Sequence, residues 1–74
     1  MTPMTRVTLY TRAGCHLCEE MAAELRSLGI DFEEVDVDAD PQLRVRYGRD
    51  VPVLVAGELV CKHRLDPEAI AKLR

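Results

Sequence analysis

Apolar side chains follow two rhythms along this chain, and the switches between them mark out its elements. Val7-Thr8-Leu9-Tyr10 is a short β-branched and aromatic run, which predicts a central strand. The rhythm then changes. Cys18, Met21, Ala22, Leu25 and Leu28 recur at helical spacing, which predicts a helix with one apolar face. Glu19 and Glu20 stand in its first turn, where the macrodipole favours acids, and Gly29 supplies a left-handed stop. From Ile30 to Val37 the pattern is again that of a strand. A strand–helix–strand unit of this length implies a right-handed crossover with parallel pairing. Asp31, Glu33, Glu34, Asp36 and Asp38 fit an acidic edge strand protected from pairing with other chains better than they fit acid–base catalysts.

Asp40-Pro41 is a capping residue followed by a first-turn proline. It opens a short helix through Tyr47, with Gly48 as its stop. Asp50 to Val55 is a third strand with Pro52 at its start, since proline has no N–H for a ladder. Ala56-Gly57-Glu58 turns the chain into a fourth strand, Leu59-Val60-Cys61. Asp66 caps a last helix opened by Pro67, with Leu65 and Ile70 as a hydrophobic staple and Lys72 and Arg74 at its C-terminal end. The order is β-α-β-α-β-β-α.

Size and charge narrow what such a chain does. Its 74 residues make a single domain over 1–74, close to the size at which one core becomes marginal, with residues 1–5 frayed. A net charge of −3 argues against nucleic acid as a partner. No apolar run approaches the ~20 residues of a membrane span, and the N-terminus lacks a basic region followed by an apolar core. These features lead us to expect a cytoplasmic monomer with no membrane association. The three cysteines are an odd number, unlike a disulfide-stapled scaffold, and in a reducing compartment a C-x-x-C is more often catalytic or metal-binding.

Cys15-His16-Leu17-Cys18 falls between the first strand and the first helix. A helix N-terminus leaves backbone N–H groups unpaired and favours a thiolate. The helical spacing puts Cys18 on the buried face and Cys15 off it. Cys15 is therefore the exposed attacking thiol of a dithiol–disulfide exchange, and Cys18 the sheltered resolving one.

That C-x-x-C, the flanking Tyr10-Thr11-Arg12-Ala13-Gly14, the Asp50-Val51-Pro52 that opens the third strand and the Asp66-capped last helix together resemble the glutaredoxins. The similarity is closest to small bacterial glutaredoxin-like proteins of the thioredoxin-fold superfamily and covers residues 6–74. It implies an α/β minimal thioredoxin fold: a four-stranded mixed sheet ordered second–first–third–fourth, with helices on both faces. It also implies a cis Val51–Pro52 bond lying against the dithiol, so that Val51 and Pro52 bind substrate. In that topology the end of the fourth strand, Cys61-Lys62-His63, emerges on the same side. Arg12 matches a basic position that receives a glutathione carboxylate in the family, and Arg49 is placed to serve likewise. Three positions depart from the family pattern. His16-Leu17 stands where Pro-Tyr or Pro-Phe is usual, Asp50 replaces a threonine, and Cys61-Lys62-His63 occupies the place of a Gly-Gly that approaches bound glutathione.

The expected activity is thiol–disulfide oxidoreduction on a protein or small-molecule disulfide, with no resident cofactor and no metal. The electron donor is glutathione as a co-substrate or a thioredoxin-reductase-type reductant. Several side chains keep two readings. His16 either stabilises the Cys15 thiolate as imidazolium or is simply solvated. Cys61 is either a small buried strand residue or a third thiol at the binding site. Arg44, Arg46 and Arg49 form either a solvated helix face or a docking point for an anionic group. Other classes of function are a copper chaperone-like protein, a zinc site from Cys15, Cys18, Cys61 and His63, and a non-catalytic thioredoxin-fold interaction module. A copper chaperone of this kind has the order β-α-β-β-α-β, ending in a strand, whereas this chain is predicted to end in a helix.

Overall fold

The computed structural model describes residues 6–73; the N-terminal fraying expected over 1–5 lies outside the described residues. Four strands, β1 (Val7–Thr11), β2 (Glu33–Asp36), β3 (Val53–Ala56) and β4 (Leu59–Lys62), form one sheet in the order β2-β1-β3-β4. β1 pairs parallel with β2 and antiparallel with β3, and β3 pairs antiparallel with β4. The helices are α1 (His16–Ser27), α2 (Pro41–Tyr47) and α3 (Pro67–Leu73), and a 3-10 turn at Val37–Ala39 precedes α2. This is the mixed sheet and strand order of the minimal thioredoxin fold.

Alternation along β1 divides the molecule into two layers. Val7, Leu9 and Thr11 point to one face and are buried. There Val7 and Leu9 join a core with Met21, Ala22 and Leu25 of α1, Leu54, Ala56 and Cys61 of the β3–β4 hairpin, and Leu65 and Ala69 at the α3 end. On the opposite face Tyr10 stacks on Tyr47 of α2, with ring centroids 4.5 Å apart. Helices therefore cover both faces. Full burial of a side chain such as Leu9 or Leu25 contributes about 1.5–3 kcal/mol, a large share of the stability of so small a core.

The helix ends follow local chemistry. Asp40 Oδ1 accepts the Gln42 N–H at the start of α2, and Asp66 Oδ1 accepts the Ala69 N–H at 2.7 Å at the start of α3. At the end of α1, Gly29 (φ +73) donates to Arg26 O and Ile30 donates to Leu25 O. That bonding pattern needs a left-handed residue at Gly29.

Element boundaries differ from expectation in five places. α1 begins at His16, with Cys15 as its N-cap, because the cysteine sulfur accepts a backbone N–H of the first turn. β1 extends to Thr11 because Thr11 pairs with Asp36. The second strand is only Glu33–Asp36, not Ile30–Val37. Ile30 is still tied to the end of α1, and Asp36 Oδ1 accepts the Asp38 N–H, which turns the chain into the 3-10 segment. β3 begins at Val53 rather than Asp50, since Pro52 has no N–H to donate and its carbonyl instead accepts the His63 N–H at 2.9 Å. That pairing register also carries β4 one residue further, to Lys62 opposite Val53.

Gly48, buried at the end of α2, is needed for space rather than conformation. A Cβ there would strike the Arg44 carbonyl and crowd Arg12 Nη2 at 3.1 Å. Gly48→Ala is expected to cost about 1–3 kcal/mol of stability, the usual range for overpacking. Urea denaturation would check this, and an unchanged or raised midpoint would contradict it.

Candidate active site

Where β1 ends, Gly14 (φ +76) turns the chain and brings Cys15 to the head of α1. The Cys15 N–H donates to Arg12 O at 3.2 Å, and the Cys18 N–H donates to Cys15 Sγ at 3.2 Å. Cys15 thus satisfies one of the orphan donors of the helix with its own sulfur. Such a bond strengthens when the acceptor is anionic. The residue is half-buried.

Cys18 is only 3% exposed and lies on the core face of α1. Burial pushes its thiol up to about 12, and the hydrogen bond it makes to Cys15 adds to the effect; a backbone hydrogen bond from Arg12 pulls the other way. In reduced protein Cys18 is accordingly a protonated thiol at neutral pH. Its contribution to stability is complete below the ordinary value of 9.0 and is lost as pH rises towards the folded one.

The Val51–Pro52 bond is cis and Pro52 is fully buried. Tyr10 pairs with Val53, so Pro52 falls one step further along, level with Thr11 and at the sheet end that carries Cys15. His63 (φ +69) is tied to this loop through its N–H to Pro52 O, and Lys62 Nζ lies 3.3 Å from Asp50 Oδ2. The end of β4 thus holds the cis-proline segment at two points.

Other expected site residues are placed as follows. Arg12 is not open: Nε and Nη2 each donate to an Asp38 carboxylate oxygen at 3.0 Å, and Nη1 donates to Gly48 O at 3.2 Å. His16 is 83% exposed in its side chain and faces Glu20 Oε1 at 3.8 Å. Arg49 is exposed just before the cis-proline loop. Cys61 is buried in the core, and its thiol donates to Arg64 O at 3.0 Å. Among the described residues, no three His, Cys, Asp or Glu side chains come together as a metal-ligand set. No described helix is long and apolar enough to cross a membrane.

Asp38 is the site residue that sequence reasoning placed differently, as one more acid of an edge strand. The Arg12 guanidinium holds its carboxyl below the ordinary value of 3.8. Nothing in the sequence links it to Arg12, because the two meet only when β2 lies beside β1.

A strand end, a cysteine-capped helix and a cis-proline loop in this sheet order define a thioredoxin-fold thiol–disulfide oxidoreductase. The chain belongs to the glutaredoxin-like family: the family described as Glutaredoxin-like domain (DUF836) matches residues 6–73. Among its relatives, the glutaredoxin-like protein NrdH of Escherichia coli is 38% identical over 58 residues, covering 73% of this chain and 72% of that protein. The N-acetyl-S-hydroxy-L-cysteine reductase of Bacillus subtilis is 34% identical over 62 residues, covering 77% and 67%. The solution structure of Ne2328 from Nitrosomonas europaea superposes with a TM-score of 0.81 at 35% identity, covering all of this chain and 96% of that one. NrdH-redoxin from Escherichia coli, whose structure is described as the basis of a thioredoxin-like activity profile, superposes at 0.75 with 35% identity, covering 93% and 95%.

Two measurements check this geometry. Iodoacetamide at neutral pH is expected to alkylate Cys15 of the reduced, folded protein first, with Cys18 and Cys61 modified only on unfolding; equal rates at all three would contradict the assignment. In an NMR titration the Asp38 carboxyl is expected to titrate below 3.8 and to return towards it in Arg12→Ala. A lowered carboxylate stabilises the fold above its unfolded value and loses that contribution as pH falls through the folded one.

Proposed function

We propose that the protein catalyses dithiol–disulfide exchange with Cys15 as nucleophile and Cys18 as resolving thiol. Cys15 thiolate attacks a substrate disulfide, forming a mixed disulfide and expelling one substrate thiolate, which takes a proton from solvent. Cys18 then gives up its proton and attacks Cys15 Sγ. The second substrate thiol leaves, two electrons have passed to the substrate, and the protein holds a Cys15–Cys18 disulfide. The observation that carries this reading is the asymmetry of the pair: one sulfur caps the helix within reach of solvent, and the other is buried one turn below it. Val51 lines the groove, with His16 and Arg49 at its exposed margins; Pro52, expected to line it too, is fully buried and acts from behind by fixing the turn of the loop. Cys61 holds the β4–α3 turn through Arg64 O.

A thioredoxin-reductase-type reductant is favoured over glutathione as the electron donor. The guanidinium that would receive a glutathione carboxylate is engaged by Asp38 and Gly48. A side-chain-bearing Lys62-His63 stands where backbone would approach the tripeptide. The thioredoxin-like activity profile described for NrdH-redoxin points the same way. Protein and small-molecule disulfides both remain within this reading as substrates.

The test is a pair of coupled NADPH assays on the oxidised protein, one with thioredoxin reductase and one with glutathione plus glutathione reductase. Oxidation of NADPH is expected in the first, at least about tenfold faster than in the second. The Cys15→Ser variant should be inactive, and Cys18→Ser should accumulate the mixed disulfide. Reduction by neither system, with no mixed disulfide in Cys18→Ser, would overturn the reading.

A further inference from the structure

We propose that Asp38 is a positioning residue for the dithiol, acting through Arg12, and that the charge balance of this pair sets how strongly the Cys15–Cys18 couple oxidises. This rests on the dithiol reading above. Arg12 sits at the junction of β1 and the cysteine loop, and its main-chain carbonyl receives the Cys15 N–H. Its side chain is fixed by a two-pronged ion pair to Asp38, with both contacts at 3.0 Å, and by a third bond to the Gly48 carbonyl. Forked guanidinium–carboxylate pairs restrict both partners geometrically. The absence of a side chain at Gly48 leaves room for the guanidinium.

The same residues carry the local charge. Thr11, Arg12, Ala13, Gly14 and Cys18 share a groove with Glu19, Glu34 and Asp36. Among the described residues lining that groove, Arg12 is the cation and the other charged side chains are acids. The hydrogen bond and charge of Asp38 are the main causes that raise Arg12, and charge interactions with Asp36 and, least of all, Cys15 add to them. With Asp38 ionised, the pair has no net charge.

Reducing the Cys15–Cys18 bond takes two electrons from an external dithiol, which becomes a disulfide. One proton ends on Cys18 Sγ, and Cys15 Sγ carries the negative charge or takes a second proton. A nearby net positive charge stabilises the reduced, thiolate-bearing form and makes the protein more oxidising. A net negative charge does the reverse. The pair is thus a neutral clamp whose two halves push the couple in opposite directions.

The experiment is redox equilibration of each variant against dithiothreitol at about pH 8.5, in the ordinary cysteine range, with circular dichroism to confirm folding. Asp38→Asn leaves Arg12 unbalanced and is expected to shift the equilibrium towards reduced protein by roughly three- to tenfold, tenfold being ~30 mV for a two-electron couple. Arg12→Met leaves Asp38 unbalanced and is expected to shift it the other way. The double variant should return close to the unsubstituted value, and Arg12→Lys, which keeps the charge, should stay near it. A merely structural contact would move both single variants in the same direction or neither, and either result overturns the proposal. So does a shift in the double variant as large as in a single one. If the unsubstituted protein had no two-electron couple between Cys15 and Cys18, the dithiol reading would fail with it. A normal couple with insensitive variants would remove the Asp38 proposal alone.

Discussion

The Cys18 N–H pointing at Cys15 Sγ is the contact on which the rest of the site depends. A sulfur is a poorer helix cap than the oxygen of Ser, Asp or Asn, and a good cap is worth about 1 kcal/mol. The chain gives α2 and α3 aspartate caps and gives α1 a cysteine. That exchange places a reactive atom at the positive end of the longest helix, at a point fixed by that helix and by the last pair of β1. Behind it lies the apolar core, in which Met21, Ala22 and Leu25 seat α1 on Leu9 and Leu54. The core positions a sulfur.

Three separate segments converge on this sheet end, and each is tied down by polar contacts. The cysteine loop is held by Arg12 to Asp38 and Gly48. The cis-proline loop is held by His63 N–H and by the Asp50–Lys62 pair. The β4–α3 turn is held by the Cys61 thiol on Arg64 O. Exposed ion pairs contribute little to stability on their own. Their value here lies in geometry, because thiol exchange needs sulfur atoms aligned, and a loop free to wander would lose that alignment.

Much of this was legible in the sequence, for identifiable reasons. The apolar stripe of α1, the Asp40-Pro41 and Asp66-Pro67 starts and the Gly29 stop are local signals, and local chemistry decides them. The burial of Cys18 followed from its spacing to Met21 and Ala22. Strand order, the cis bond and the emergence of the Cys61-Lys62-His63 end on the dithiol side came from resemblance, because they depend on pairings across the whole sheet. The Arg12–Asp38 pair was not legible: the residues are far apart in sequence, and Asp38 looked like one more acid on an acidic strand. The inward turn of Cys61 was undecidable for a related reason. A single strand residue carries no sign of which face it will join until the register to Leu54 is known.

The central claim is that one disulfide forms here, between the capping sulfur and the buried one. Stoichiometric oxidation with diamide, followed by proteolysis and mass mapping, tests this most directly. The expected product is a Cys15–Cys18 disulfide in every oxidised molecule, with Cys61 recovered as a free thiol. Disulfides that join Cys61 to either of the other cysteines, or oxidised protein in which Cys15 and Cys18 remain unlinked, would contradict it.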